Sequence, residues 1–183
     1  MKITQFSLPG VVLVVPRRYE DSRGYFAELY SQERFREAGI PDVFVQDNFS
    51  LSEKPGTIRG LHFQLPPHEQ SKLVRVSRGR IFDVVVDLRP FSPTYKAHVS
   101  AELSKENETQ IYVPAGFAHG FCTLEPDTEV VYKVSAAYAP QSEAGILWSD
   151  PELNIAWPFA PDAVTISEKD RNLPLLKEVG PVF

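Results

Sequence analysis

The chain has 183 residues, 43% of them hydrophobic and 11% aromatic, and a net charge of -5. That length fits one domain, residues 1–183, with room for a substantial core, and the composition excludes a disordered chain. The negative charge argues against a nucleic-acid binder, while leaving room for local basic pockets that hold phosphate.

In chain order, Gly10 to Pro16 comes first, an apolar run between its own breakers that reads as a short buried strand. Its core, Val11 to Val15, is too short to span a bilayer. It also lacks the basic region and small-residue cleavage site of a signal peptide, so a cytoplasmic chain with no membrane partner is expected. Tyr19 to Phe26 reads as a polar turn ending in aromatics. Ser31 is the predicted N-cap of a short helix that Gly39 closes. Phe44 to Ser50 alternates as a half-buried strand does, with Gln46 and Asn48 on one face.

The stretch Thr57 to Lys72, TIRGLHFQLPPHEQSK, carries Arg59, His62 and Lys72 around a Pro66-Pro67 turn. It predicts a hairpin whose two arms lie side by side, with His62 near Lys72. Alone, such a hairpin is ordinary solvated surface.

Strand signals then come close together, at Leu73 to Ser77, Ile81 to Leu88, His98 to Leu103, Ile111 to Val113, Gly120 to Leu124 and Val130 to Val134. This spacing predicts an antiparallel β-sandwich or barrel rather than βαβ units. Alternation turns Tyr132 inward with Val130 and Val134, where the commoner fate is a core tyrosine with its hydroxyl on a carbonyl. It also places Asp83 and Asp87 on the face opposite Phe82, Val84, Val86 and Leu88, a pattern read as a solvated face. The lone Cys122 excludes an intrachain disulfide and suits a reducing compartment. Beyond Pro140 the chain is proline-rich and is expected to wrap over the barrel. Ser167 to Asp170 reads as the start of a final short helix, and its S-x-x-D spacing is also that of a capping box.

Two segments resemble the signature motifs of the cupin superfamily. Pro114-Ala-Gly-Phe-Ala-His119 fits the second, P-x-G-x-x-H. Gly60-Leu-His62-Phe-Gln64, with Glu69 beyond it, resembles the first, with Gln64 where metal-binding cupins have a second His. An amide is a poor partner for metals that imidazole suits, so no metal ligand is assigned.

The whole set resembles the dTDP-4-dehydrorhamnose 3,5-epimerase family. It comprises Arg23 to Glu28, Gln46 to Asn48, Arg59 to Gln64, Lys72 to Arg75, Phe82 to Asp87, Pro114 to Phe121 and Ser167 to Asp170, in order over nearly the whole chain. The resemblance implies an all-β, cupin-type double-stranded β-helix (a jelly-roll barrel) with short helices and a C-terminal wrapping segment. It also implies a homodimer that needs no metal and no cofactor and acts on a dTDP-4-keto-6-deoxy sugar. The neighbouring alternatives are an enzyme inverting one carbon only, a non-catalytic cupin that binds a nucleotide sugar, and a metal-dependent cupin oxygenase or isomerase.

Hydrogens on C3 and C5 of a 4-keto hexose lie alpha to the carbonyl, so their removal gives an enolate. Inversion returns a proton to the other face, most simply from a second group opposite the base. On this reading His62 is the base, Tyr132 the acid, and Lys72 the charge facing O4. By resemblance Asp170 is the carboxylate that orients His62; His119 with Asp83 is a candidate second pair of this kind, lining the barrel. Arg23, Arg59 and Lys169 are candidates for the pyrophosphate. Glu28, Gln46 and Asn48 offer hydrogen bonds to thymine and ribose, Phe26 or Tyr138 a stacking face, and Glu143 completes the family's binding set.

Overall fold

A computed structural model describes residues 1–183. The amino-terminal strands are β1 (Lys2–Gln5), β2 (Val12–Val15), β3 (Arg18–Asp21) and β4 (Gly24–Ala27), followed by helix α1 (Gln32–Glu37). The central strands are β5 (Gln46–Ser52), β6 (Thr57–Gln64), β7 (Lys72–Arg78), β8 (Arg80–Asp87) and β9 (His98–Ser104). Next come β10 (Gln110–Val113), β11 (Phe117–Thr123), β12 (Thr128–Val134), β13 (Glu143–Gly145) and β14 (Thr165–Ile166). Helices α2 (Glu168–Arg171) and α3 (Leu176–Val179) close the chain, so the helix begun by Ser167 is followed by one more.

Two sheets form the barrel. One has the order β1-β2-β10-β7-β12-β5, the other β13-β6-β11-β8-β9 with β14 also on β6. All pairings are antiparallel except β14 on β6. The hairpin β3–β4 stands apart as its own two-stranded sheet.

The hairpin expected across Pro66-Pro67 does not form. β6 and β7 belong to opposite sheets, so the turn carries the chain across the barrel instead of folding it back. His62 and Lys72 still meet, because their strands face each other: the Lys72 ammonium donates to the His62 carbonyl at 3.2 Å.

The solvated face expected for Asp83 and Asp87 is also overturned, since both are fully buried. They point into the barrel with Ile81 and Val85, while Val84, Val86 and Leu88 face outward beneath Ile146, Leu153 and Leu176 of the carboxy-terminal wrap. That wrap covers the outer face with apolar side chains, so β8 is buried on both sides. At one end the barrel interior is packed by Val74, Ile81, Val85, Ile111, Phe117 and Val130. Burying such aliphatic and aromatic side chains contributes about 1.5–3 kcal/mol each. Towards the other end the inward positions turn polar and a cavity opens.

β5 shows the same inversion. Its inward positions are Gln46, Asn48, Ser50 and Ser52, while Phe49 and Leu51 face outward at 63% and 45% exposure. It lies at the edge of its sheet, paired only with β12. The free side of β5 faces β6 across the cavity, with Arg59 reaching over to the Ser52 hydroxyl and the Leu51 carbonyl.

Candidate active site

The cavity has two lobes, of about 340 and 260 Å³, that share His62, Lys72 and Tyr132. The deeper lobe adds Arg59, His119, Lys169 and Asp170, the shallower one Gln46, Asn48, Tyr138 and Glu143. Residues from six strands, from α2 and from the segment between β12 and β13 therefore converge on one place.

Close backbone approach sets the register at the centre. Gly60 has φ +127°, and a Cβ there would lie 2.6 Å from the Gly120 Cα and 2.9 Å from the His119 carbonyl oxygen. Only glycine fits this conformation and spacing. The pairing of β6 with β11 slips at this point, and His62 stands opposite His119.

The outer edge of β6 pairs with β14 at Thr57 and Ile58 and with β13 from His62 onward. The Asp170 carboxylate sits in the interval, where its Oδ2 accepts from the Gly60 N–H at 3.2 Å and its Oδ1 contacts His62 Nε2 at 2.8 Å. Burial raises the Asp170 pKa, but the hydrogen bond and charge of His62, with the Gly60 N–H and the Ser167 hydroxyl, bring it below the usual carboxylate value. An ionised Asp170 accepts from Nε2–H, which leaves the lone pair of a neutral His62 on Nδ1. The cap of α2 uses a different atom, since the Ser167 hydroxyl accepts from the Asp170 backbone N–H at 3.1 Å. Capping and imidazole contact thus coexist, one through the backbone and one through the carboxylate.

Lys72 is buried and its pKa falls to about 8, lowered by desolvation and partly restored by Asp83. Asp83 is pushed up by burial against the pull of His119 and Lys72. Its Oδ2 meets His119 Nε2 at 2.8 Å, and its Oδ1 has no partner. Tyr132 stands beside Asn48 in the pairing of β12 with β5, and burial raises its pKa while Arg59 lowers it. Its hydroxyl makes no hydrogen bond within the chain, unlike the core tyrosine of the ordinary reading. A protonated phenol, an imidazole backed by a carboxylate and a buried ammonium thus surround one small space.

Cations and amides line the approach. Arg59 has no carboxylate partner, whereas Lys169 contacts Glu143 at 2.5 Å. That contact, helped by the Tyr138 hydroxyl at 2.9 Å, holds the Glu143 pKa down. Gln46 is fixed between Asn48 and the Tyr138 N–H.

Three of the candidate binding residues lie elsewhere in this chain. Arg23 pairs with Asp21 and is 88% exposed, and Phe26 is 69% exposed, both on β3–β4 or its turn. Glu28 pairs with Arg34 beside a separate hollow on the outer face of β7 and β12. The hairpin is held away from the cavity by contacts of Arg18 and Tyr25 with Glu108.

The residues do not fit a metal. Each of His62 and His119 has its Nε2 committed to a carboxylate, and no three His, Cys, Asp or Glu side chains are grouped to hold an ion. The Gln64 amide is spent on backbone, donating to the His68 and Ala137 carbonyls and accepting from the Ala139 N–H. Glu69 does not line either lobe.

Sequence reasoning missed Ser50 and Phe121, which also line the deeper lobe. Alternation carries the signal for both: Ser50 continues the Gln46–Asn48 face, and Phe121 shares the phase of His119.

A cupin-type barrel whose cavity gathers an imidazole–carboxylate pair, a phenol and a buried ammonium defines the class, a carbohydrate isomerase. Within that class the chain belongs to the dTDP-4-dehydrorhamnose 3,5-epimerase family, whose description matches residues 5–178. It is 51% identical to the dTDP-4-dehydrorhamnose 3,5-epimerase of Sinorhizobium fredii (strain NBRC 101917 / NGR234), over 100% of this chain and 93% of that protein. Among solved structures it resembles the enzyme of that name from Bacillus anthracis strain Ames, determined with TDP and PPi bound. The two are 47% identical with a TM-score of 0.93, over 96% of this chain and 99% of the other. The dTDP-6-deoxy-D-glucose-3,5-epimerase of Legionella pneumophila Philadelphia 1, in complex with dTDP-4-keto-L-rhamnose, is 43% identical with a TM-score of 0.91. That match covers 96% of this chain and 93% of the other.

Proposed function

We propose that the protein inverts C3 and C5 of dTDP-4-dehydro-6-deoxy-D-glucose to give dTDP-4-dehydro-L-rhamnose, with residues 1–183 as one catalytic domain. The observation that carries this reading is the placement of His62, backed by Asp170, in one cavity with Tyr132 and Lys72. His62 removes the proton alpha to the ketone, and Asp170 favours the imidazolium that results. Lys72 faces the developing charge on O4. Tyr132 delivers a proton from the other side. His119, paired with Asp83, borders the same space and contacts the sugar.

Arg59, the cation without a carboxylate, takes the pyrophosphate, and Lys169 joins it by exchanging Glu143 for phosphate. Gln46 and Asn48 lie beside Tyr138 in the shallower lobe, an arrangement suited to a stacked thymine and its ribose. No metal or cofactor takes part in any step.

Arg23, Phe26 and Glu28 serve the site of a second copy. The exposed Phe26 of the hairpin and the outward Val45, Phe49 and Leu51 beside β5 offer an apolar surface for a homodimer. A cytoplasmic location agrees with the unpaired, buried Cys122, and no helix is long and apolar enough to cross a membrane.

Incubation with the keto sugar in deuterated water tests the reaction. Deuterium at both C3 and C5 with inversion at each is expected. Label at C3 alone would make the protein a single-carbon epimerase, and label at neither would overturn the reading.

A further inference from the structure

The inward face of β5 is a ladder of four polar side chains, three of which have partners. Gln46 bonds to Asn48 and the Tyr138 N–H, and Ser52 accepts from Arg59. Ser50 is the exception: its hydroxyl is buried and has no hydrogen-bond partner. A buried hydroxyl without a partner is a cost that folding ordinarily avoids.

Its position gives the orphan a use. Ser50 lines the deeper lobe, with Arg59, His62 and Tyr132, and is absent from the lobe that holds Gln46 and Tyr138. It pairs with Val130 on β12, one inward step from the Asn48–Tyr132 pair. Across the cavity, Arg59 bridges to Ser52, so Ser50 lies between that bridge and the level of Tyr132. The residue is half-buried and lines the cavity, and a serine hydroxyl has three staggered χ1 positions open to it.

We propose that Ser50 is a hexose-binding residue whose hydroxyl bonds a ring hydroxyl of the bound sugar, at the sugar's phosphate-bearing end. This rests on the epimerase reading above. On that reading the pyrophosphate lies at Arg59 and the reacting carbons at His62 and Tyr132. The oxygen-bearing carbon between them then falls opposite Ser50. The bond forms equally in ground and transition states, so it acts on KM and leaves kcat in place.

The test compares wild type and Ser50→Ala by kinetics with the keto sugar, by TDP binding and by melting temperature. The variant should lose about 3- to 10-fold in kcat/KM, the worth of one neutral hydrogen bond, through KM. Its TDP affinity should stay within about twofold of wild type. Its melting temperature should equal or exceed wild type, because an unpaired buried hydroxyl is removed. Unchanged kcat/KM, an equal loss of TDP affinity, or a lowered melting temperature accompanying the kinetic loss would each overturn the assignment. A wild-type protein that leaves the keto sugar unchanged would instead overturn the epimerase reading.

Discussion

At the scale of single residues, the proposed chemistry divides among three side chains that substitution can separate. His62→Ala should lower turnover by about 10²–10⁴-fold while TDP binding survives, since Arg59, Gln46, Asn48 and Tyr138 are untouched. Tyr132→Phe keeps the ring and its packing and removes only the phenol. It should still take up deuterium from solvent while giving little inverted product, with C5 affected most. Equal loss of exchange and inversion would place Tyr132 in the first proton transfer. Lys72 adds a pH dependence. Its pKa of about 8 lies below the ordinary lysine value because burial penalises the ammonium. Activity should therefore fall as pH rises through about 8 and the charge facing O4 is lost. Stability moves the other way: folding disfavours the charged form, so its penalty is present below pH 8 and relieved between about 8 and 10.5. Lys72→Met should abolish activity and remove this rise from the difference between variant and wild-type unfolding curves. His62 and Lys72 stand out in the sequence as one short segment, while alternation alone makes Tyr132 a core tyrosine. The roles of all three, like the link from His62 to Asp170 108 residues away, come from the resemblance.

At the scale of elements, the polar pattern misled wherever it met the cavity. A strand with one polar face ordinarily turns that face to water. β5 and β8 turn theirs inward: Gln46, Asn48 and Ser50 of β5 face the cavity, Asp83 of β8 meets His119, and Asp87 is capped by Arg89, Ser92 and Thr94. The same physics explains the missed crossing at Pro66-Pro67: two strands joined by a short turn resemble a hairpin locally, and only the order of strands in both sheets shows that they separate. The junction of β6 with β11 makes the sharpest demand. Gly60→Ala forces a side chain against the Gly120 backbone in a conformation that alanine resists. It should cost about 2–5 kcal/mol of stability in urea unfolding. Because Gly60 also donates to Asp170, whatever folded protein remains should show reduced turnover.

At the scale of the molecule, the placement of Arg23 and Phe26 outside the cavity of their own chain leads to a complementation test. If the hairpin of each copy serves the other copy's site, then His62→Ala and Arg23→Ala chains are each impaired at both sites of their homodimers. Mixed dimers pair one intact His62 with one intact Arg23. Refolding the two variants together should recover activity that neither shows alone, and sedimentation should give twice the mass of one 20.6 kDa chain. No recovery would mean that the hairpin serves its own chain or none. The barrel, its wrap and most strand positions were legible from spacing and breakers. The detachment of the hairpin was not, since its residues are read as turn and aromatics without saying what they lie against.

The free side of β5 bears on how such an enzyme breathes. Closed barrels have no strand edges left to pair. Here the side of β5 stays open, crossed at one end by the Arg59 guanidinium. On the proposed function the nucleotide sugar would lie in that opening and tie side chains of the two sheets together, so saturating TDP should raise the melting temperature of the protein.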